Sequence, residues 1–186
     1  MNILKHIMIC ILCISFLTGC KKNSTDPNNG KVKTISERLP QNGEIAGWTF
    51  SGSGWTANNI TDLTNYIDGA APVYQRHGFI EAAHQKYQGT VNNANAIIGL
   101  TIYNQGTSAT ALDLYNDTDL GFNGAIDWNG TGHAGTAAHY LQYGGLSQQL
   151  SFYRNGYYVY VEVNTDTPES LSIIQQFALN VDAEVK

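Results

Sequence analysis

Cysteine is nearly absent from this 186-residue chain, and its three copies, Cys10, Cys13 and Cys20, all lie within the first twenty positions. From Lys21 onward there is no thiol, which excludes disulfides, thiolate nucleophiles and cysteine-held metals from that part of the protein. Catalytic signatures are missing as well. Gly52-Ser53-Gly54 is embedded in Phe50-Ser51-Gly52-Ser53-Gly54-Trp55 without the strand-turn-helix setting of a nucleophile elbow, and no phosphate loop or dinucleotide fingerprint occurs. The apolar run Ile7–Leu17 covers only about 16 Å as a helix, roughly half of a bilayer's hydrocarbon core, so it is too short to span one. Positive charge is scarce too. Residues 36–186 hold five basic side chains against fourteen carboxylates, a net of −9, which argues against nucleic acid as a partner.

What is present begins with an address. Lys5 and His6 give a short polar start, the apolar run follows, and Leu17-Thr18-Gly19-Cys20 closes it. This tetrapeptide resembles the lipobox of bacterial lipoproteins. The resemblance implies diacylglyceryl transfer to the Cys20 thiol, cleavage after Gly19 and acylation of the new amino terminus. Several acyl chains, at about 0.8 kcal/mol per buried CH₂, make such anchoring stable. An ordinary secretory peptide with a coincidental cysteine is the competing reading; the agreement in spacing of run, small residue and cysteine favours the lipobox. Lys21 stands where an Asp would favour inner-membrane retention, so the pattern implies the outer membrane of a Gram-negative envelope. Residues 21–35 read as a flexible basic tether, with Lys21, Lys22, Lys31 and Lys33 against Asp26. A basic tether beside anionic lipid and an acidic head would hold the domain off the membrane. Residues 36–186 are expected to form a single domain with a core of its own.

Within that domain, Gly43–Ala57 carries Gly47-Trp48 and Gly54-Trp55 and predicts a short hairpin or two edge strands, with the tryptophans in the core rather than on a sugar-stacking platform. Leu63, Tyr66, Ile67, Ala70, Ala71 and Tyr74 form a helical apolar stripe that Asn59 or Thr61 can cap and Gly78 can end. Pro72 predicts a kink or break near Gly69–Ala71. Strands are expected at Phe79–Gln88, Ala96–Asn104, Ala137–Tyr143, Leu146–Arg154 and Tyr157–Asn164, the last two joined by Asn155-Gly156. A short helix is expected at about Ser108–Tyr115, and a closing one opens at Thr167-Pro168 with Leu171, Ile174, Ala178 and Val181 on its apolar face. The fold class is therefore α+β, an antiparallel sheet of about five to six strands flanked by helices.

Tyr66-Ile67-Asp68-Gly69-Ala70-Ala71, with Tyr74, Gly78-Phe79 and the upstream Ile45-Ala46-Gly47-Trp48, resembles the signature of an uncharacterised bacterial family of lipoproteins and secreted proteins. The similarity runs from about residue 39 to the C-terminus and implies no catalytic residues. The order of elements is also similar to the PsbP-like α/β/α sandwich, in topology only, and fold alone does not fix function.

Two sets of candidate ligand-binding residues follow. Tyr66, Asp68 and Tyr74 lie on the interrupted helix, where Asp68 either points into a cleft or is simply solvated. Asp127, Trp128 and His133 lie in the glycine-rich segment Asn116–Thr136, the longest irregular stretch of the chain. His77, His84, His133 and His139 lack a tight metal-ligand spacing and read as ordinary surface or core histidines. Asp117-Thr118-Asp119 suggests an oxygen-rich cation loop but lacks the EF-hand glycine and terminal glutamate. No cofactor is implied. The expected function is a lipid-anchored binding or accessory module that contacts another envelope protein or a small polar ligand. An extracytoplasmic hydrolase using carboxylates or a metal in residues 116–136 is the alternative, and a purely structural envelope protein a third.

Overall fold

The strand Tyr157–Val163 sets the layering of the molecule. Its alternate residues Val159, Val161 and Val163 are all buried, whereas the opposite set grades from buried Tyr158 through half-buried Tyr160 to exposed Glu162. One face of the sheet is thus covered along its whole length and the other at one end only. These facts come from a computed structural model that describes residues 32–67 and 69–186; residues 33–186 make one compact unit. Residues 1–31, on which the expected signal peptide, the Cys20 lipidation site and most of the expected tether fall, and Asp68 lie outside the described residues.

Among the described residues eight strands form one open antiparallel sheet: β1 (Thr49–Phe50), β2 (Trp55–Ala57), β3 (Glu81–Val91), β4 (Ala94–Asn104), β5 (Ile126–Asp127), β6 (Ala137–Gln142), β7 (Gln148–Arg154) and β8 (Tyr157–Val163). Their spatial order is β1-β3-β4-β8-β7-β6-β5, with β2 also on the outer side of β3. The count exceeds five to six because β1, β2 and β5 are only two or three residues long. Gly43–Ala57 supplies two separate edge strands on β3 rather than a hairpin with itself. The β3–β4 connection is also tighter than the seven-residue GTVNNAN link that the sequence suggests. Asn92 and Asn93 both take left-handed backbone (φ +50 and +64), a conformation asparagine tolerates, so Gly89–Val91 and Ala94–Asn95 join the ladder. Trp48 lies against Gly89, where a Cβ would come within 2.6 Å of its ring.

The helices follow from local chemistry. Asn59 accepts from the Asp62 N–H (2.9 Å) to start α1 (Ile60–Tyr66), and the chain breaks before α2 (Ala71–Arg76). Gly69 there has φ +72, and Pro72 sits in the first turn of α2, where its missing N–H costs nothing. The end of α2 is a Schellman motif: Phe79 N–H donates to the Tyr74 carbonyl and Gly78 N–H to that of Gln75. Capping boxes on Thr107 and Thr167 start α3 (Ser108–Tyr115) and α4 (Pro168–Glu184).

Helix α4 lays Ile174, Phe177, Ala178 and Val181 on the first face, against Ile98, Leu100, Leu150, Phe152, Val159 and Val161. The second face receives α1, α2 and α3, with Leu63, Tyr74 and Leu114 packed on Ala82, Tyr103 and Tyr158. Asp182, 4% exposed, ties α4 to the sheet: Arg154 donates to it from Nε and Nη2, and Gly135 N–H from the loop (2.9 Å). Truncating the guanidinium would strand a buried carboxylate. Arg154→Ala is therefore expected to lower stability by about 3–5 kcal/mol, read by urea unfolding of the full chain. A loss under about 1 kcal/mol, the range of an exposed pair, would show that the carboxylate is not buried.

Candidate functional site

Because the ladder is regular, residues of one parity line up in rows across the second face. The row beneath the helices runs Ala57, Ala82, Tyr103, Tyr158, Tyr153, Ala137 from β2 to β6. The next runs Trp55, His84, Thr101, Tyr160, Ser151, His139, Asp127 and crosses seven strands. A third, outermost, runs Lys86, Gly99, Glu162, Gln149, Leu141. The first row is covered, the second half-covered, and Lys86 and Glu162 of the third stand in solvent.

Polar groups in the middle row are satisfied in pairs, as partial burial demands. His84 Nδ1 and Thr101 Oγ1 share a hydrogen bond of 2.9 Å, His139 Nε2 and Ser151 Oγ one of 2.6 Å, and Tyr160 donates to the Glu162 carboxylate at 2.9 Å. Aromatic rings wall both ends. Trp55 stacks on His84 (5.2 Å) and on Tyr66 (4.6 Å), while His139 contacts Tyr115 (4.3 Å) and Phe122 (4.4 Å). Burial lowers both histidines to about 4; Lys86 adds to this at His84, and Asp127 opposes it at His139. Burial, followed by the Glu162 charge, pushes the Tyr160 phenol far up. Both histidines and Tyr160 are therefore uncharged at pH 7.

The His139–Ser151 bond has the partners of a nucleophilic dyad, but Ser151 is fully buried. With no surface for a substrate to reach, the pair acts as a strut between β6 and β7. Among the recesses on this face, a shallow one of about 470 Å³ lies at the β3–β4 end past Gln88 and Ile97, and two smaller ones lie further in. One, of about 230 Å³, includes Lys86, Gly99, Ser147, Glu162 and Asn164; the other, of about 170 Å³, includes Tyr115, Asp117, Phe122, Asn123 and His139. A groove of about 390 Å³ runs along the outer edge of β3 past Leu39, Phe50 and Gln85 and meets the open face through Trp55 and His84.

The candidate residues fall in different places. Tyr66 is 48% exposed and edges the row through its stack on Trp55. Tyr74 is in the core, stacked on Tyr103 at 4.2 Å, which leaves it little surface for a ligand. Asp127 ends the middle row, exposed and opposite His139, whereas Trp128 packs toward the first-face core and His133 bonds the Ala134 carbonyl (2.9 Å). The structure thus does not gather Asp127, Trp128 and His133 at one point. Asp117 is taken by Arg76 (2.6 Å), His77 (2.6 Å) and the Asp119 N–H (2.9 Å), and Asp119 by Arg76 (2.5 Å), an arrangement that pins the loop to α2. Those bonds hold the Asp117 carboxyl down at about 2 against the opposing effect of desolvation. No group of three or more His, Cys, Asp and Glu converges as a metal would need among the described residues.

No family model, curated protein or solved structure matches the chain.

The row itself was not singled out by residue type. Its signal was positional: a two-residue turn at Asn155-Gly156 forces Arg154 opposite Tyr157 and hence Ser151 opposite Tyr160. The neutral histidines make a pH test available. Their folded values near 4 lie below the unfolded value of about 6.5, so their contribution is complete above pH 6.5 and is lost as pH falls toward 4. Between those limits stability is expected to fall by about 1.4 kcal/mol per pH unit for each histidine. Urea unfolding from pH 7 to 4.5 checks this, and the slope is expected to flatten in His84→Gln and His139→Gln. An unchanged slope in both variants would mean the imidazoles titrate normally.

Proposed function

We propose that this chain is a lipid-anchored extracytoplasmic binding module of the bacterial envelope, whose ligand seat is the open half of the second sheet face. The observation that carries the seat is the uneven covering of that face: α1, α2 and α3 cover the first row and reach the middle row only at its two ends, through Tyr66 and Tyr115, while His84 and Tyr160 stay half-buried and Lys86 and Glu162 stand in solvent. Recesses of about 230 and 170 Å³ suit a small polar ligand better than a drug-sized one, whose pockets run from about 300 Å³ upward. The anchor rests on Leu17-Thr18-Gly19-Cys20, and Lys21 after it favours the outer membrane. The likeness of residues 66–71 to a lipoprotein family points the same way. An envelope protein as partner is the competing occupant; the loop carboxylates spent on Arg76 give the hydrolase reading no particular support.

Two experiments address the two halves of the reading. In a bacterial host given an alkyne fatty acid, the wild-type chain is expected to take up label and Cys20→Ser to lose it; label retained by Cys20→Ser would refute the anchor. For the seat, the full chain in detergent is screened by thermal unfolding against sugars, small acids and amino acids. A ligand at 100 times its dissociation constant adds about 2.7 kcal/mol, a shift of roughly 5 °C or more. Gly99→Leu fills the floor of the open face, where the nearest atoms to a new Cβ belong to the Glu162 and His84 side chains. It is expected to abolish that shift; a shift that survives places the ligand elsewhere.

A further inference from the structure

Charge is so sparse in this domain that each cation can be followed to its partner. Six basic side chains are described: Lys33, Arg38, Arg76, Lys86, Arg154 and Lys186. Lys33 pairs with Glu184 (2.5 Å), Arg76 with Asp117 and Asp119, Arg154 with Asp182, and Lys186 approaches Asp182 at 3.8 Å. Arg38 donates to the Glu184 carbonyl and lies over the Tyr157 ring. Among the described residues Lys86 alone has neither an anionic nor a hydrogen-bonding partner. It stands in solvent on the open face, in the row that also carries Glu162.

Between the two lies Gly99. Strands β3 and β8 flank β4, so their backbones stand roughly 10 Å apart. Gly99, with no side chain of its own, is part of the floor of the 230 Å³ recess. A Cβ at Gly99 would come 3.0 Å from Glu162 Oε1 and 3.5 Å from His84 Cε1, so both side chains lean over the gap. The Tyr160 hydroxyl donates to the Glu162 carboxylate, and Thr101 occupies Nδ1 of His84, leaving Nε2 without a partner among the described residues. A slot results with the Lys86 ammonium and the Glu162 carboxylate among its lining, the His84 ring beside it at Gly99, and no direct ion pair closing it.

We infer that this slot binds a small zwitterion of the α-amino acid type, its carboxylate on Lys86 and His84 Nε2 and its ammonium on Glu162. Opposite charges a few ångströms apart on the ligand match the opposite charges in the slot's lining, and the recess is of amino-acid rather than drug size. The inference rests on the open face being the ligand seat. Gly99 then has a reason to interrupt the otherwise bulky run Ile97–Tyr103: any side chain there would fill the slot.

Calorimetric titration of the full chain in detergent at pH 7 tests this, with glycine and alanine as probes and acetate, methylammonium and glucose as comparisons. The two amino acids are expected to bind saturably, and acetate and methylammonium at least about tenfold more weakly. Lys86→Met and Glu162→Gln each remove one charge-assisted contact and are expected to weaken amino-acid binding by about ten- to a hundredfold. Lys186→Met, a cation at the C-terminus just past the end of α4, leaves it unchanged. Amino acids that bind equally well to the Lys86 and Glu162 variants would overturn the inference. If glucose alone binds and Gly99→Leu blocks it, the zwitterion is wrong and the seat stands. If nothing binds to any variant, both fail.

Discussion

Everything on the open face depends on how α4 closes the opposite one. Its seventeen residues span about 25 Å, close to the roughly 23 Å of the seven-residue strands β7 and β8 beneath it. Together with Ile35, Leu39, Ile45 and Trp48 from the segment before β1, this helix covers that face and commits Val159, Val161, Leu150 and Phe152 to the core. Strand parity leaves no choice about the rest: Tyr158, Tyr160, Glu162 and Ser151 must face the other way. There the helices are short. Helices α1, α2 and α3 have seven, six and eight residues, so none exceeds about 12 Å in length. Had the stretch Ile60–Arg76 continued as one helix it would have matched α4. The left-handed backbone at Gly69 and the proline at 72 cut it in two, and half of the face stays open.

The gradient of side chains across that face follows the gradient of covering. Under the helices the row is alanine and tyrosine, and burial raises Tyr103 to about 12, with hydrogen bonds to Tyr74 and Thr101 tempering the effect. One row out, histidine, threonine and serine are admitted because each has a partner within hydrogen-bond reach and the histidines stay uncharged. One row further, full charges appear on Lys86 and Glu162. The outer half of the face is therefore chemically different from the core without any break in the sheet.

Local signals carried much of this fold in the sequence. The caps Asn59, Thr107 and Thr167, the break before Pro72, the Asn155-Gly156 turn and the alternation in Tyr157–Val163 all depend on neighbours within a few positions. The strand order was not legible in the same way. Pairing of β4 with β8 joins segments some sixty residues apart, and nothing local dictates that Gly99 faces Glu162. The row Lys86–Gly99–Glu162 exists only through that pairing, so no motif announced it. Tyr66 and Tyr74 share a helical stripe by spacing alone, yet the break after Ile67 sends one to the surface and the other into the core. The loop Asn116–Thr136 drew attention by its length and glycine content. Its carboxylate Asp117 is held by Arg76 and His77, a contact across some forty residues that spacing does not reveal.

Residue-resolved amide shifts offer the most direct test of where this protein receives a ligand. Titrating the isotopically labelled full chain in detergent with glycine is expected to move the amides of Lys86, Gly99, Thr101 and Glu162 and to leave those of α4 in place. Shifts confined to the β3 edge around Phe50 and Gln85, or spread over α4, would contradict the assignment of the open face as the seat.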